Sequence, residues 1–376
     1  MTDEHTGWAI AVHGDDYAIV HTTDAGRHWK RVSPSGFSPA AHGDTVYADE
    51  PGIDLATFGM KDAWTARVYG SQNALQLFVW RTTDAGLHWS TAKIPVSDTF
   101  GLFLKFVDSR HGFLLATSDA AMGHEGKRFY RTSDGGKTWR MVSDGFPGHS
   151  TRGALPFAGF PTGMSFHDAQ NGWVGMSPRR YTEVTLFQTR DGGKTWRQQA
   201  VPMPAMFHKG NYDCDTDAPF FFSDGRQGAL VLRFTQNNWE GVGVSRTQDG
   251  GMHWIEPQLV STKERSVEFS PDGSGWITVP DQKSLVQTQD GGRNWKQEPT
   301  DALLTSLISN AEKEAHLDFV SRKVGWALVK NEGFGNDSVE LLLTQDSGRH
   351  WRRLAFWPGT SAKISHPLSS SKKAGK

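Results

Sequence analysis

Along the chain, apolar residues cluster in short runs rather than at helical spacing. GWAIAV, AWTARV, GFLLAT, GWVGMS, GWITVP and GWALVK are each opened by a small residue, and GALVLRF is a seventh of the same kind. They are apolar on successive positions, the pattern of a strand covered on both faces. Before five of them come LKFVDSRHG, MSFHDAQNG, FFFSDGRQG, VEFSPDGSG and LDFVSRKVG, which predict a more central strand ending in a polar turn. After each apolar run the chain alternates, turns and resumes.

That second turn repeats. TTDAGRHW, TTDAGLHW, TSDGGKTW, TRDGGKTW, TQDGGMHW, TQDGGRNW and TQDSGRHW place a Trp about every 54 residues from Trp29 to Trp351. The Thr hydroxyl and Asp carboxylate can accept hydrogen bonds from turn amides, Gly supplies positive φ, and the Trp re-enters a strand. The spacing fits a four-stranded blade, so seven turns predict an all-β, seven-bladed β-propeller.

One blade departs from the pattern. Only MTDEHT precedes GWAIAV, so blade one needs an inner strand from elsewhere. The expectation is a composite first blade, with 1–360 forming a single propeller and 361–376 holding a closing segment at about 361–368 and a disordered tail. Closure of the ring would remove two exposed sheet edges. The other reading is that the natural N-terminus, with any signal sequence, is absent from this chain.

Composition narrows the function classes. Forty basic and 41 acidic residues leave a net charge of −1, so nothing draws the chain as a whole to nucleic acid. No run reaches the roughly 20 apolar residues of a membrane span. The one cysteine, Cys214, excludes an intrachain disulfide. No nucleophile elbow, phosphate loop or His-Glu-x-x-His segment occurs. A monomer without metal or cofactor is expected.

The repeated turn resembles the Asp-box, or bacterial neuraminidase repeat, with Asp24, Asp84, Asp134, Asp191, Asp249, Asp290 and Asp346 as its aspartates. With the Gly-Trp strands and the count of seven, the chain is most similar to photosystem II stability/assembly factor-like propellers. That resemblance implies a non-catalytic scaffold or binding module, often exported across a membrane; with the regular repeat and the missing catalytic signatures, the expectation is an extracytoplasmic propeller that binds a protein or glycan through its inter-blade loop face. Sialidases share the turn, but the Phe/Tyr-Arg-Ile-Pro segment expected of them is absent.

Candidate chemistry lies in loops between blades and between the two middle strands of a blade. The loop before blade five carries Tyr212, Asp213, Asp215 and Asp217, and the middle loop of that blade carries Asn238, Trp239 and Glu240. A ring for stacking beside carboxylates is what a sugar site uses, so Asp213, Asp215, Asp217 and Glu240 are the candidate acids of an alternative glycoside hydrolase or lyase, with Asp44 and Asp49 on an adjoining loop. The opposing reading is a solvated acidic loop with a packing Trp. Calcium is disfavoured because Ala218 and Pro219 stand where an EF-hand turns. Arg179 and Arg180, beside Tyr181, form a second candidate contact for an anionic group.

Overall fold

The computed structural model describes residues 1–13, 16–37, 52–70, 75–96, 98–118, 120–178, 184–207, 212–236, 239–261, 266–279, 284–308, 313–331, 338–358 and 361–363. Seven antiparallel sheets form a seven-bladed β-propeller. Blade three is representative. Its inner strand Gly101–Phe106 pairs with Gly112–Thr117, then come Lys127–Thr132 and the outer Arg140–Asp144. The Gly112–Thr117 strand is buried along its length, as its unbroken apolar run requires.

Aromatic stacks join successive blades. Trp64 of blade two stacks on Phe106 of blade three, with centroids 3.7 Å apart. Phe113 on Phe166 and Trp276 on Phe319 repeat the contact at 3.6 Å. In blades three, four and seven the glycine opening the buried strand makes room for its own blade's ring: a Cβ on Gly112, Gly172 or Gly325 would collide with Phe106, Phe166 or Phe319. Between the rings lie apolar clusters shared by neighbouring blades, such as Leu77, Val79, Leu104 and Leu114.

Each repeated turn is built alike. The Thr hydroxyl donates to the Asp carboxylate at 2.7–3.0 Å and accepts from a Gly amide at 2.9–3.1 Å. The carboxylate's other oxygen lies 2.6–2.7 Å from the side chain preceding the Trp, which is His28, His88, Thr138, Thr195, His253, Asn294 or His350. The recurring histidines are therefore turn-closing groups. Ala25, Ala85 and Ser347 adopt φ of 63°, 59° and 66° where the other four turns use Gly135, Gly192, Gly250 and Gly291.

Blade one is composite. Ser361–Lys363 pairs with Gly7–His13, with Ser361 opposite Val12 and Lys363 opposite Ile10. MTDEHT is more than a lead-in. The Asp3 carboxylate accepts from the amides of His5 and Thr6, as Asp108 does from Arg110 and His111. Residues 3–6 thus form the polar turn that ends an inner strand, and Met1 lies against Gly7 where other blades place Phe.

Candidate functional site

Two turns per blade share one end of the propeller, because the amide of each repeated turn bonds the inner turn of the same blade, as Gly135 does to Arg110 and Gly192 to Gln170. The hairpins between middle strands and the connections between blades lie at the opposite end. The candidate residues of blade five belong to this second face.

The acids before blade five do not form a loop. Asp213–Thr216 is the first half of an inner strand, which breaks at Ala218–Pro219 and resumes at Phe220–Phe221. Both halves pair with Gly228–Gln236, which continues through a hairpin into Trp239–Thr247. Pro219 explains the break, having no amide to donate to a ladder. The expectation of a Phe-containing inner strand is met only by the second half.

Strand register separates the aromatic and acidic candidates. Side chains alternate between the two faces of a sheet. Tyr212 and Cys214 are buried toward blade four with Phe207, Leu232 and Phe234, and Trp239 packs half-buried on this cluster. Phe207, from the short 3₁₀ turn Ala205–Phe207, is its centre, stacking on Phe234 at 4.4 Å and meeting Trp239 at 5.7 Å. Asp213, Asp215 and Glu240 are on the alternate positions. Asp213 and Glu240 both register with Thr235, from opposite sides, two strand spacings or about 10 Å apart at Cα. The rings and the carboxylates thus project from different faces of the sheet.

The three aspartates also differ from one another. Asp217 is buried and both its oxygens accept from Arg233 Nη1 at 2.5 Å. Burial and the nearby Asp215 carboxylate raise the pKa of Asp213. Glu240 is exposed. Arg233 escaped the reading of the sequence, although a lone cation in the otherwise apolar GALVLRF run was its signal. Arg179, Arg180, Tyr181, Asn238, Asp44 and Asp49 lie outside the described residues.

Elsewhere on this face, the long connection after blade three is tied down by charge. Lys127 is buried and its ammonium donates to the carbonyls of Glu125, Phe157 and Gly159, with burial pushing its pKa down to about 8. Asp144 accepts from the Phe146 amide and contacts His149 Nδ1, both at 2.9 Å, while the Arg128 guanidinium lies 3.9 Å over the Phe146 ring.

The inner strands carry a second charged group that the sequence did not single out, comprising Asp54, Lys105, Glu268 and Asp318. Burial raises Asp54 to about 6, although Lys105 and the amides of Leu104 and Leu55 favour its carboxylate. Burial and the negative charge of Asp318 push Glu268 well above the usual range, and burial lowers Lys105. Among the described residues no cluster of His, Cys, Asp and Glu could hold a metal ion, and no helix is long and apolar enough to cross a membrane.

The chain is therefore a seven-bladed propeller with a polar, loop-built face and an ionisable centre. It is similar to the photosystem II stability/assembly factor HCF136, chloroplastic, of Arabidopsis thaliana, with 27% identity over 140 residues. That match covers 34% of this chain and spans 30% of the relative's length. Among solved structures, YCF48 from Cyanidioschyzon merolae superposes over 92% of both chains with a TM-score of 0.52 and 15% identity. A polysaccharide lyase, the PL25 ulvan lyase, superposes over 82% of this chain and 86% of its own with a TM-score of 0.51 and 9% identity. No family model matches the chain.

Proposed function

We propose that this protein is a non-catalytic, extracytoplasmic binding or scaffold propeller that recognises a protein or glycan on its inter-blade loop face. The observation that carries this reading is the division of the blade-five constellation. Trp239 and Tyr212 serve packing on one side of the sheet, Asp217 is bound to Arg233, and Asp213 and Glu240 stand on the other side. The partial match to a photosystem II stability/assembly factor supports a scaffold. In this reading the seven turns at Asp24, Asp84, Asp134, Asp191, Asp249, Asp290 and Asp346 are Asp-boxes with a purely structural task.

The alternative is a carbohydrate-active enzyme, favoured by one observation: Asp213 and Glu240 flank Thr235 on one face of the sheet. Arg179, Arg180, Tyr181 and Asn238 remain candidate contacts in either reading. A glycan array, hydrolysis and lyase assays on its hits, and cross-linking mass spectrometry with protein extracts would test the choice. Binding without turnover, weakened by Glu240→Ala, supports recognition. Turnover abolished by Asp213→Asn or Glu240→Gln sinks it in favour of the enzyme.

A further inference from the structure

A cleft of about 600 Å³ opens between blades four and five on the outer rim, at the end that carries the repeated turns and away from the inter-blade loops. That volume lies within the range of about 300–1,000 Å³ typical of small-ligand sites. Blade four supplies one wall through its third strand, Thr185–Thr189, and its outer strand, Arg197–Gln199, and blade five supplies Met252 from its repeated turn. Strand register sets what faces the cleft. Gln188 lies directly opposite Arg197, and Leu186 opposite Gln199, so all four side chains leave the sheet on the same side. Arg190, two residues beyond Gln188, turns back and donates from Nε to the Gln188 side-chain oxygen at 3.3 Å. Two arginines therefore flank one amide.

The floor of the cleft is polar and fixed. The Gln199 amide nitrogen donates to the carbonyls of Gly251 and Met252 at 2.7 and 3.0 Å, and its oxygen accepts from the indoles of Trp173 and Trp254. Five other blades place Val32, Ala92, Val142, Pro257 or Leu354 at this position, three residues after the repeated Trp. There an apolar group fills the joint, and a Cβ on Gly86 of blade two would strike Val32. Blade four is also unlike the rest in charge. It alone carries a cation both at the second residue of the repeated turn, Arg190, and directly after its Trp, Arg197. Among the described residues Arg31, Arg128, Arg233, Arg349 and Arg353 pair with carboxylates, and neither Arg190 nor Arg197 does. The Asp191 carboxylate, which also lines the cleft, is engaged within its own turn by the Thr189 hydroxyl and by the amide and hydroxyl of Thr195.

We propose that this cleft is a second binding site, specific for a carboxylate-bearing sugar, the uronate of an acidic polysaccharide. Arg190 and Arg197 hold the carboxylate, whose two oxygens match the paired donors of a guanidinium. Gln188 meets the sugar hydroxyls, and Met252 gives the C–H face of the ring an apolar surface. Charge narrows the class. Two guanidiniums less the one charge of Asp191 leave a single positive charge, which suits a monoanion rather than a densely phosphorylated or sulfated chain. The side-chain amide narrows it further. An amide offers donor and acceptor together, which hydroxyls answer at both ends, whereas an acidic peptide side chain only accepts. The site is open at the rim, so a polymer can cross the blade edge while the loop face stays free for another partner.

Isothermal titration of the full chain with oligomers of galacturonate, glucuronate and mannuronate, each beside its methyl ester, tests the site. At least one acid oligomer is expected to bind, less tightly as salt rises, and its ester to bind about tenfold more weakly or not at all. Arg190→Gln with Arg197→Gln is expected to abolish binding at an unchanged melting temperature, because both side chains are exposed. Arg197→Lys keeps part of the affinity, and Arg140→Gln, at the matching position of blade three, keeps all of it. Absence of binding by every acid oligomer overturns the proposal. Equal binding of acid and ester, or a double variant that binds like the parent, also overturns it. Tighter binding of hexaglutamate than of any sugar does so too, assigning the cleft to an acidic peptide.

Discussion

At the scale of single residues, the repeated turn is a small circuit of side-chain and backbone bonds with one strained link. Ala85 and Ser347 hold a left-handed conformation that costs an L-residue about 1–2 kcal/mol and costs Gly almost nothing. Ala85→Gly and Ser347→Gly are therefore expected to stabilise the fold by about 0.5–1 kcal/mol each, once the greater freedom of Gly in the unfolded chain is subtracted. Denaturant unfolding curves would show the midpoint moving up with the slope unchanged. The same turn explains how His, Thr and Asn interchange before the Trp. Each offers a donor to one carboxylate oxygen, and nothing else is asked of it. The sequence displayed this position as a recurring histidine, but its bond to the turn Asp needs coordinates.

At the scale of elements, blade five shows where sequence reading succeeded and where it failed. Its buried second strand and its repeated turn were legible because periodicity and glycine chemistry act locally. The acidic segment was misread as a loop because three aspartates and a proline are poor strand formers, yet pairing with Gly228–Gln236 overrides that preference. Which side chains share a face depends on register, and register was hidden until the strand was located. The buried Asp217–Arg233 pair follows the same logic. Arg233→Met is expected to cost about 3–5 kcal/mol by stranding the carboxylate, while Arg233→Met with Asp217→Leu recovers most of that loss. A double-mutant cycle on thermal unfolding would expose the coupling, and simple additivity of the two changes would refute it.

At the scale of the whole molecule, two opposing sets of carboxylates shape the response to pH. The turn aspartates Asp24, Asp84, Asp134 and Asp249 sit at about 2, so their contribution is present above the ordinary range near 4 and fades as pH falls toward 2. Hydrogen bonds from the following turn residues, His28, His88, Thr138 and His253, hold them there, and His28 or His88 gives the largest effect at Asp24 or Asp84. Asp54 has the opposite sign. Its raised value of about 6 means the folded protein binds the proton more tightly, so stability declines as pH rises from about 4 through 6. Asp54→Asn is expected to flatten that decline, and melting temperatures recorded from pH 4 to 7 would show whether the slope persists.

The aromatic stacks give the ring an unequal circumference. Trp64, Phe113 and Trp276 each lean flat on a Phe of the next blade, but Trp326 meets Met1, and Trp8 tilts against His21 within its own blade at 4.3 Å. The Trp64 and Trp326 indoles also donate to the neighbouring blade's turn, whereas Trp8 Nε1 has no hydrogen-bond partner among the described residues. The joint between blades one and two is fastened by other means: the Arg67 guanidinium lies 4.1 Å over the Tyr17 ring and donates to the Phe37 carbonyl, and the Trp89 indole donates to the Val32 carbonyl. The ring thus exchanges a flat stack for a cation-centred clamp at the blade where the chain begins and ends its circuit.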